Sequence, residues 1–299
     1  LNKRLHDYYF TALLLLCLLG GCAKHHPWDG RSITYCEYTL HEKEIQTEKT
    51  LSKPHELEVK TEKLLHEHKL QEAIWLLDSH LETVGKAEAL KKKLRHILLT
   101  GHFTIVPKVL GGTNPKYFLE FDEGVKAVFK IDNANVNFVN SNSEIAAYEL
   151  DDILKFGVVP MTLKRTIELK DHPGGTEGSV QYYLSDMTPG QPQHVTAANF
   201  VALKIFDFII GNIDRKHENF LLWEGENRVI AIDNGGSFQK NSCGTLGEMK
   251  HYFSQGSPLD EHLKHVDPRE VKTRLSRLVP QEALAIVIQR ITDLKEWKR

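Results

Sequence analysis

The sequence predicts an α+β chain: a small antiparallel β-lobe with one helix, then a mainly helical lobe, the two preceded by an α-helical region. Three observations predict it. Residues 39–99 are rich in Glu, Lys, Leu and His with apolar positions at helical spacing. From Gly101 the chain breaks into short β-prone runs between turn sequences, and from residue 197 apolar stretches of helical length return. With 299 residues, 41% of them hydrophobic, the chain can bury one large core or two smaller ones. A formal net charge of -2 sets up no global basic field, so nucleic acid is not an expected partner.

The start, "NKRLHDYYFTALLLLCLLGGCAK", has a basic opening, an apolar run too short to span a bilayer, and then small residues. It resembles a bacterial lipoprotein signal. In that pattern "LGGC" is the lipobox, and Cys22 would carry the lipid and begin the mature chain. The resemblance implies an exported, membrane-anchored protein of the bacterial cell envelope, with a secreted or lumenal protein as the alternative. The expected division is a signal peptide at 1–22, a stalk and helical region at 23–100, and a catalytic domain at 101–299 with lobes of about 101–184 and 185–299. Cys36 and Cys243 match no metal-ligand spacing, and a disulfide between them stays open.

Between residues 39 and 99, Leu64, Leu65, Ala73, Ile74, Leu76, Leu77 and Leu81 form a stripe interrupted near "EHK", which predicts two or three helices packed on the following domain or spacing it from a membrane. Pro54 limits any helix crossing it. "HFTIVPKVL", "KYFLEF" and "VKAVFKI", separated by "GGTNP" and "DEG", predict a meander of antiparallel strands. "SEIAAYELDDILKF" predicts an amphipathic helix capped by Ser143 or Ser141. A loop "DHPGGTEG", a strand "SVQYYL" and an apolar helix "AANFVALKIFDFII" come next. The C-terminal "DPREVKTRLSRLVPQEALAIVIQRITDLKEW" carries start signals at Asp267 and Pro268 and a break at Pro280, so helices close the larger lobe.

Between the apolar runs "IFDFII" and "VIAID" sits "GNIDRKHENFLL", and acids at the ends of core elements are costly unless they meet a cation or a reacting group. Asp214 is followed by Asn219 and, after the next β-run, by Asp233. Phosphoryl transfer from ATP uses one acid near the attacking hydroxyl, and an amide and a second acid for metal ions bridging the phosphates. Upstream, Lys130 ends a strand, where a kinase places the lysine that reaches the phosphates, and Glu144 lies on the next helix, where it can face that lysine. Asp207, two turns before Asp214, can reach the catalytic turn or remain a helix-surface acid. Arg215 and His217 read as supports, Arg215 by pairing with a carboxylate.

The segments "GGTNPKYFLEFDEGVKAVFKI", "SEIAAYELDDILKFGVVP" and "IFDFIIGNIDRKHENF…VIAIDNGGSF", within residues 109–240, resemble the catalytic core of the secretory-pathway kinases, the family of the Golgi casein kinase and the glycosaminoglycan xylosylkinase. The resemblance implies a bilobal protein-kinase-like fold. It also implies that Lys116 and Lys130 contact the nucleotide phosphates, that Glu144 holds the lysine or a metal, that Asp214 is the catalytic acid and that Asp233 binds metal. "DRKHEN" is similar to the "DRHxxN" of phosphatidylinositol 3- and 4-kinases, and Asn219 is unusual for the secretory family. The backbone of Gly111 and Gly112 is a candidate phosphate cradle or a plain hairpin turn.

The expected activity is an ATP-dependent kinase using Mg2+ or Mn2+, acting on a hydroxyl of a protein or sugar, or else of a lipid headgroup. The alternatives are a pseudokinase acting as a lipid-anchored interaction module, and AMP transfer or phosphoinositide phosphorylation on the same fold.

Overall fold

The structure, a computed structural model, describes residues 35–36, 54–78, 80, 83–107, 115–132, 140–170, 172–190, 197–223, 226, 228–242, 244–254 and 259–297. All belong to the compact unit that runs from residue 34 to 299. The signal-like segment with Cys22, the glycines Gly111 and Gly112, and Cys243 lie outside the described residues.

After a two-residue strand β1 (Tyr35–Cys36) come three helices, α1 (Pro54–His66), α2 (Leu70–Asp78) and α3 (Val84–Thr100). Pro54 opens α1, where a missing N–H forfeits no helical hydrogen bond. The expected interruption falls at His68, which takes a left-handed φ of 58°. Helix α2 is buried on every side, so even Gln71 and Glu72 are inside. Both find partners: Gln71 Oε1 accepts from the Met161 amide at 2.9 Å, and the Tyr182 hydroxyl donates to Glu72 Oε2 at 3.0 Å. Leu70, Ile74 and Trp75 of α2 and Leu94, Ile97 and Leu98 of α3 share one core with Leu119, Phe129 and Val180 of a β-sheet. The helical region therefore packs on that sheet.

The sheet has five antiparallel strands in the order β2 (Phe103–Val106), β3 (Lys116–Phe121), β4 (Lys126–Lys130), β6 (His172–Tyr182), β5 (Thr162–Leu169). Two expectations need correction. Within "DHPGGTEG", His172–Gly178 is not a loop but part of β6, and it pairs with β5, a strand the sequence pattern does not announce. Gly178 has a packing reason, since a Cβ there would stand 2.3 Å from the Lys130 carbonyl oxygen. Helix α4 (Ser141–Leu154) is capped by neither serine. Asn140 is the cap, its Oδ1 accepting from the Ser143 amide at 2.8 Å, while Ser141 is already helical.

The larger lobe holds β7 (Thr188–Pro189), α5 (Ala197–Ile210), β8 (Asp214–Arg215), β9 (Phe220–Trp223) and β10 (Arg228–Ala231), then α6 (Leu246–Ser254), α7 (Leu259–His265), α8 (Pro268–Leu275) and α9 (Gln281–Glu296). As the sequence indicates, Asp267 caps α8, accepting from the Arg269 amide, with Pro268 in the first turn. Strands β7, β9 and β10 form a small antiparallel sheet, and β1 pairs with β8 in parallel.

Helix α4 is gripped from both sides. Arg274 of α8 donates to Asp152 Oδ2 at 2.9 Å and to Glu149, while Lys91 of α3 lies 3.5 Å from Asp152 Oδ1. At its C-terminal end, the buried Asp151 accepts from the amides of Val158 and Val159. The helix that carries Glu144 is thereby held against the sheet that carries Lys130. Among the described residues no helix is long and apolar enough to cross a membrane.

Candidate active site

Antiparallel pairing of β3 and β4 sets Lys116 directly opposite Lys130. Two ammonium groups at facing positions repel unless an anion lies between them. Asp233 supplies it. Its Oδ1 is 3.2 Å from Lys130 Nζ and its Oδ2 is 3.9 Å from Lys116 Nζ. Lys130 is further held by Glu144 Oε1 at 2.5 Å, with both side chains nearly inaccessible at 9% and 3% exposure. The other oxygen of Glu144 accepts from the Asn234 amide at 3.0 Å, which fixes α4 to the turn after Asp233.

Electrostatics follow from this packing. Burial alone would lower the Lys130 ammonium, but Asp233 and Glu144 outweigh it and hold the pKa well above the ordinary lysine value. The same charge of Lys130, against the opposing effect of burial and with Lys116 adding to it, holds the Asp233 carboxyl far below the usual range. Asp233 also sits at a left-handed φ of 56°, uncommon for a residue with a side chain.

Asp214 occupies the turn after α5. Its amide donates to Asn212 Oδ1 at 2.8 Å, and its carbonyl accepts from Asn219 Nδ2 at 2.6 Å. Arg215, 2% exposed, joins this turn to the Asp233 turn. Its guanidinium pairs with Asp207 at 2.9–3.2 Å and donates to Asn234 Oδ1 at 2.6 Å, to the Ile232 carbonyl at 2.7 Å and to the Asn219 carbonyl. Asp207 is thus an internal acid on the buried face of α5, not a surface one. The turns are close enough that a Cβ on Gly236 would lie 3.4 Å from Asp214 Cβ. His217 is about half exposed, 3.8 Å from Glu218.

The structure therefore brings Lys116, Lys130, Glu144 and Asp233 into one cluster, and Asp207, Arg215, Asp214 and Asn219 into a second that Asn234 links to the first. Three further residues contribute that the sequence reading does not single out. Lys216 Nζ lies 2.9 Å from Asp214 Oδ1, and its position two residues past the acid in a short turn was the available signal. Asn212 and Asn234 flank the two acids in "NID" and "DNG" and fix the turns through their side-chain oxygens.

The donor set fits a hard cation brought by a phosphate ligand better than an all-protein metal cage. Asp233 offers carboxylate oxygens, and Asn219, whose amide nitrogen donates to the Asp214 carbonyl, offers an amide oxygen. Among the described residues, too, no group of three or more His, Cys, Asp or Glu side chains is arranged to hold a metal ion by itself. A magnesium-like ion that keeps few protein ligands needs no more than these two.

No protein-family model matches the chain, and no curated protein matches it. Among solved structures, it is similar to a hydra Fam20 protein solved with a sugar, at 19% identity and a TM-score of 0.51, over 70% of this chain and 89% of that one. The chain carries a kinase-like fold. It is also similar to the Golgi casein kinase with Mn and ADP bound, at 17% identity and a TM-score of 0.48, over 70% of this chain and 75% of that one. At 19% identity the likeness to the hydra protein speaks for architecture alone, and the resemblance read from the sequence points to the same kind of fold.

Proposed function

We propose that the protein is an ATP-dependent kinase that transfers the γ-phosphoryl group to a hydroxyl acceptor. One observation carries the reading: Lys130 is clamped by Glu144 at 2.5 Å and Asp233 at 3.2 Å, with Arg215 tying the Asp214 turn to the Asp233 turn. A merely structural ion pair needs neither two facing lysines nor two acids at adjoining turns.

In this reading Lys130 and Lys116 meet the phosphate oxygens of ATP, and Glu144 keeps the Lys130 ammonium in place. Asp233 and Asn219 would hold Mg2+ or Mn2+, which supplies charge neutralisation at the β- and γ-phosphates. Asp214 orients the acceptor hydroxyl and takes its proton. The new bond joins that oxygen to the γ-phosphorus, the bridging bond to ADP breaks, and ADP leaves. Arg215 preserves the geometry without touching a reacting atom.

The test is incubation of the full chain with labelled ATP, Mg2+ or Mn2+, and an acceptor panel of casein, glycans and phosphoinositides. Label should appear on one acceptor and vanish in Asp214→Ala. Transfer unchanged in that variant would overturn the reading, and product mass separates phosphoryl from adenylyl addition. Metal-dependent ATP binding without turnover on any acceptor would favour a pseudokinase. We also propose the lipid anchor at Cys22 and the exported location; incorporation of labelled palmitate that is lost in Cys22→Ser would support both, and none in the wild type would remove them.

A further inference from the structure

We propose that the acceptor is an extended polypeptide that adds as a strand to β8, and that residues 35–36 hold that place in the resting chain. The inference rests on the proposed kinase activity and names the substrate class of the same site.

The carrying observation is the parallel pair β1–β8, in which Tyr35 stands opposite Asp214 and Cys36 opposite Arg215. Among the described residues β8 has no other strand partner, because the nearby sheet is made of β7, β9 and β10. The edge that β1 covers thus runs alongside the residue that takes the acceptor's proton, with the pairing left to the backbone on either side of it, since the amide and carbonyl of Asp214 are taken by Asn212 and Asn219. Whatever pairs with that edge is delivered alongside the Asp214 carboxylate. Strand addition reads a repeating pattern of main-chain N–H and C=O groups, which a polypeptide has and a sugar or inositol ring lacks.

The sequence of the occupant points the same way. Residues 32–39 contain Ser32, Thr34, Tyr35, Tyr38 and Thr39, five hydroxyl-bearing positions in eight. A segment so dense in hydroxyls has the composition of an acceptor peptide, and its residues 35–36 pair with the catalytic turn. An incoming peptide runs in the same direction as residues 214–215 and displaces residues 35–36. A serine, threonine or tyrosine oxygen of that peptide then bonds to the γ-phosphorus, its proton passes to Asp214, and ADP departs.

Two arms test this on the full chain with labelled ATP, Mg2+ or Mn2+, and casein as acceptor. In the first, a synthetic peptide of residues 31–40 is added to the wild type. It should raise the KM for casein without changing the KM for ATP, and the same peptide N-methylated at residues 35 and 36 should be at least about tenfold weaker, since it lacks the main-chain donors that pairing needs. In the second, the double substitution Tyr35→Pro and Cys36→Pro removes whichever of these two alternating amides faces β8 and should lower the KM for casein by roughly fivefold. If the double variant does not fold, the first arm decides on the wild-type protein. Equal inhibition by the plain and the N-methylated peptides overturns the inference. So does Asp214-dependent transfer to glycans or phosphoinositides with none to casein, which leaves the kinase reading standing. Absence of Asp214-dependent transfer to every acceptor removes both.

Discussion

Replacing Glu72 with Gln should change how stability responds to pH. Glu72 lies inside α2 at 3% exposure, with the Tyr182 hydroxyl on Oε2, and burial, partly opposed by that hydrogen bond and by Lys69, pushes its carboxyl up from 4.5 to about 7. Asp186 lies close enough to add to the rise. The sign follows from proton counting. Between pH 4.5 and 7 the folded state binds more protons at this position than the unfolded chain does, so this residue lowers the unfolding free energy as pH rises through that window. Glutamine keeps the shape and the acceptor for Tyr182 but takes no proton. The wild type should therefore be less stable than Glu72→Gln by about 1 kcal/mol at pH 5 and by about 3 kcal/mol at pH 8 from this term. Urea unfolding of both proteins at the two pH values measures the difference, and comparing the variants cancels the contribution of Asp151, which burial also lifts to about 7. An advantage of the same size at both pH values would refute the reasoning.

Other sites give sharper tests of geometry. Asp207→Ala strands the guanidinium of Arg215, 2% exposed, and should cost about 3–5 kcal/mol in denaturant unfolding, with Asp207→Asn milder. Glu144→Gln should lower kcat/KM for phosphoryl transfer on the order of a hundredfold while far-UV circular dichroism stays unchanged, because Lys130 loses its fixed position. Gly190→Ala places a Cβ 1.8 Å from the Phe220 ring and should destabilise by about 1–3 kcal/mol, read as a drop in Tm. Asn140→Ala removes the cap of α4 and should cost about 1 kcal/mol, whereas Ser141→Ala should cost far less.

The strand carrying Lys130, the helix carrying Glu144 and the turn from Asp214 to Asn219 are legible in the sequence because each joins a strong local pattern to an out-of-place charge. Strand β5 is not. Charges at Lys164, Arg165 and Glu168 break up its apolar positions, and only its pairing with β6 settles its conformation. The glycines of "HPGGTEG" suggest a loop by composition, yet Gly178 is there because the Lys130 carbonyl leaves no room for a side chain. In "NSNSE" four successive residues can cap a helix, and the choice of Asn140 depends on where the backbone leaves the helical region. The burial of Gln71 and Glu72 is invisible because a helix enclosed on all sides presents polar residues to partners that lie far along the chain.

Those partners also set a timetable for synthesis. Gln71 waits for Met161, Glu72 for Tyr182, and the Trp75 carbonyl for Arg228, 153 residues later. At roughly 5–20 residues per second, a ribosome needs on the order of 10–30 s to deliver the last of them. During that interval the apolar surface of α2 is covered only by its neighbouring helices and by as much of the sheet as has emerged. A nascent chain stalled before β10 should accordingly be the species that chaperones hold and proteases clear.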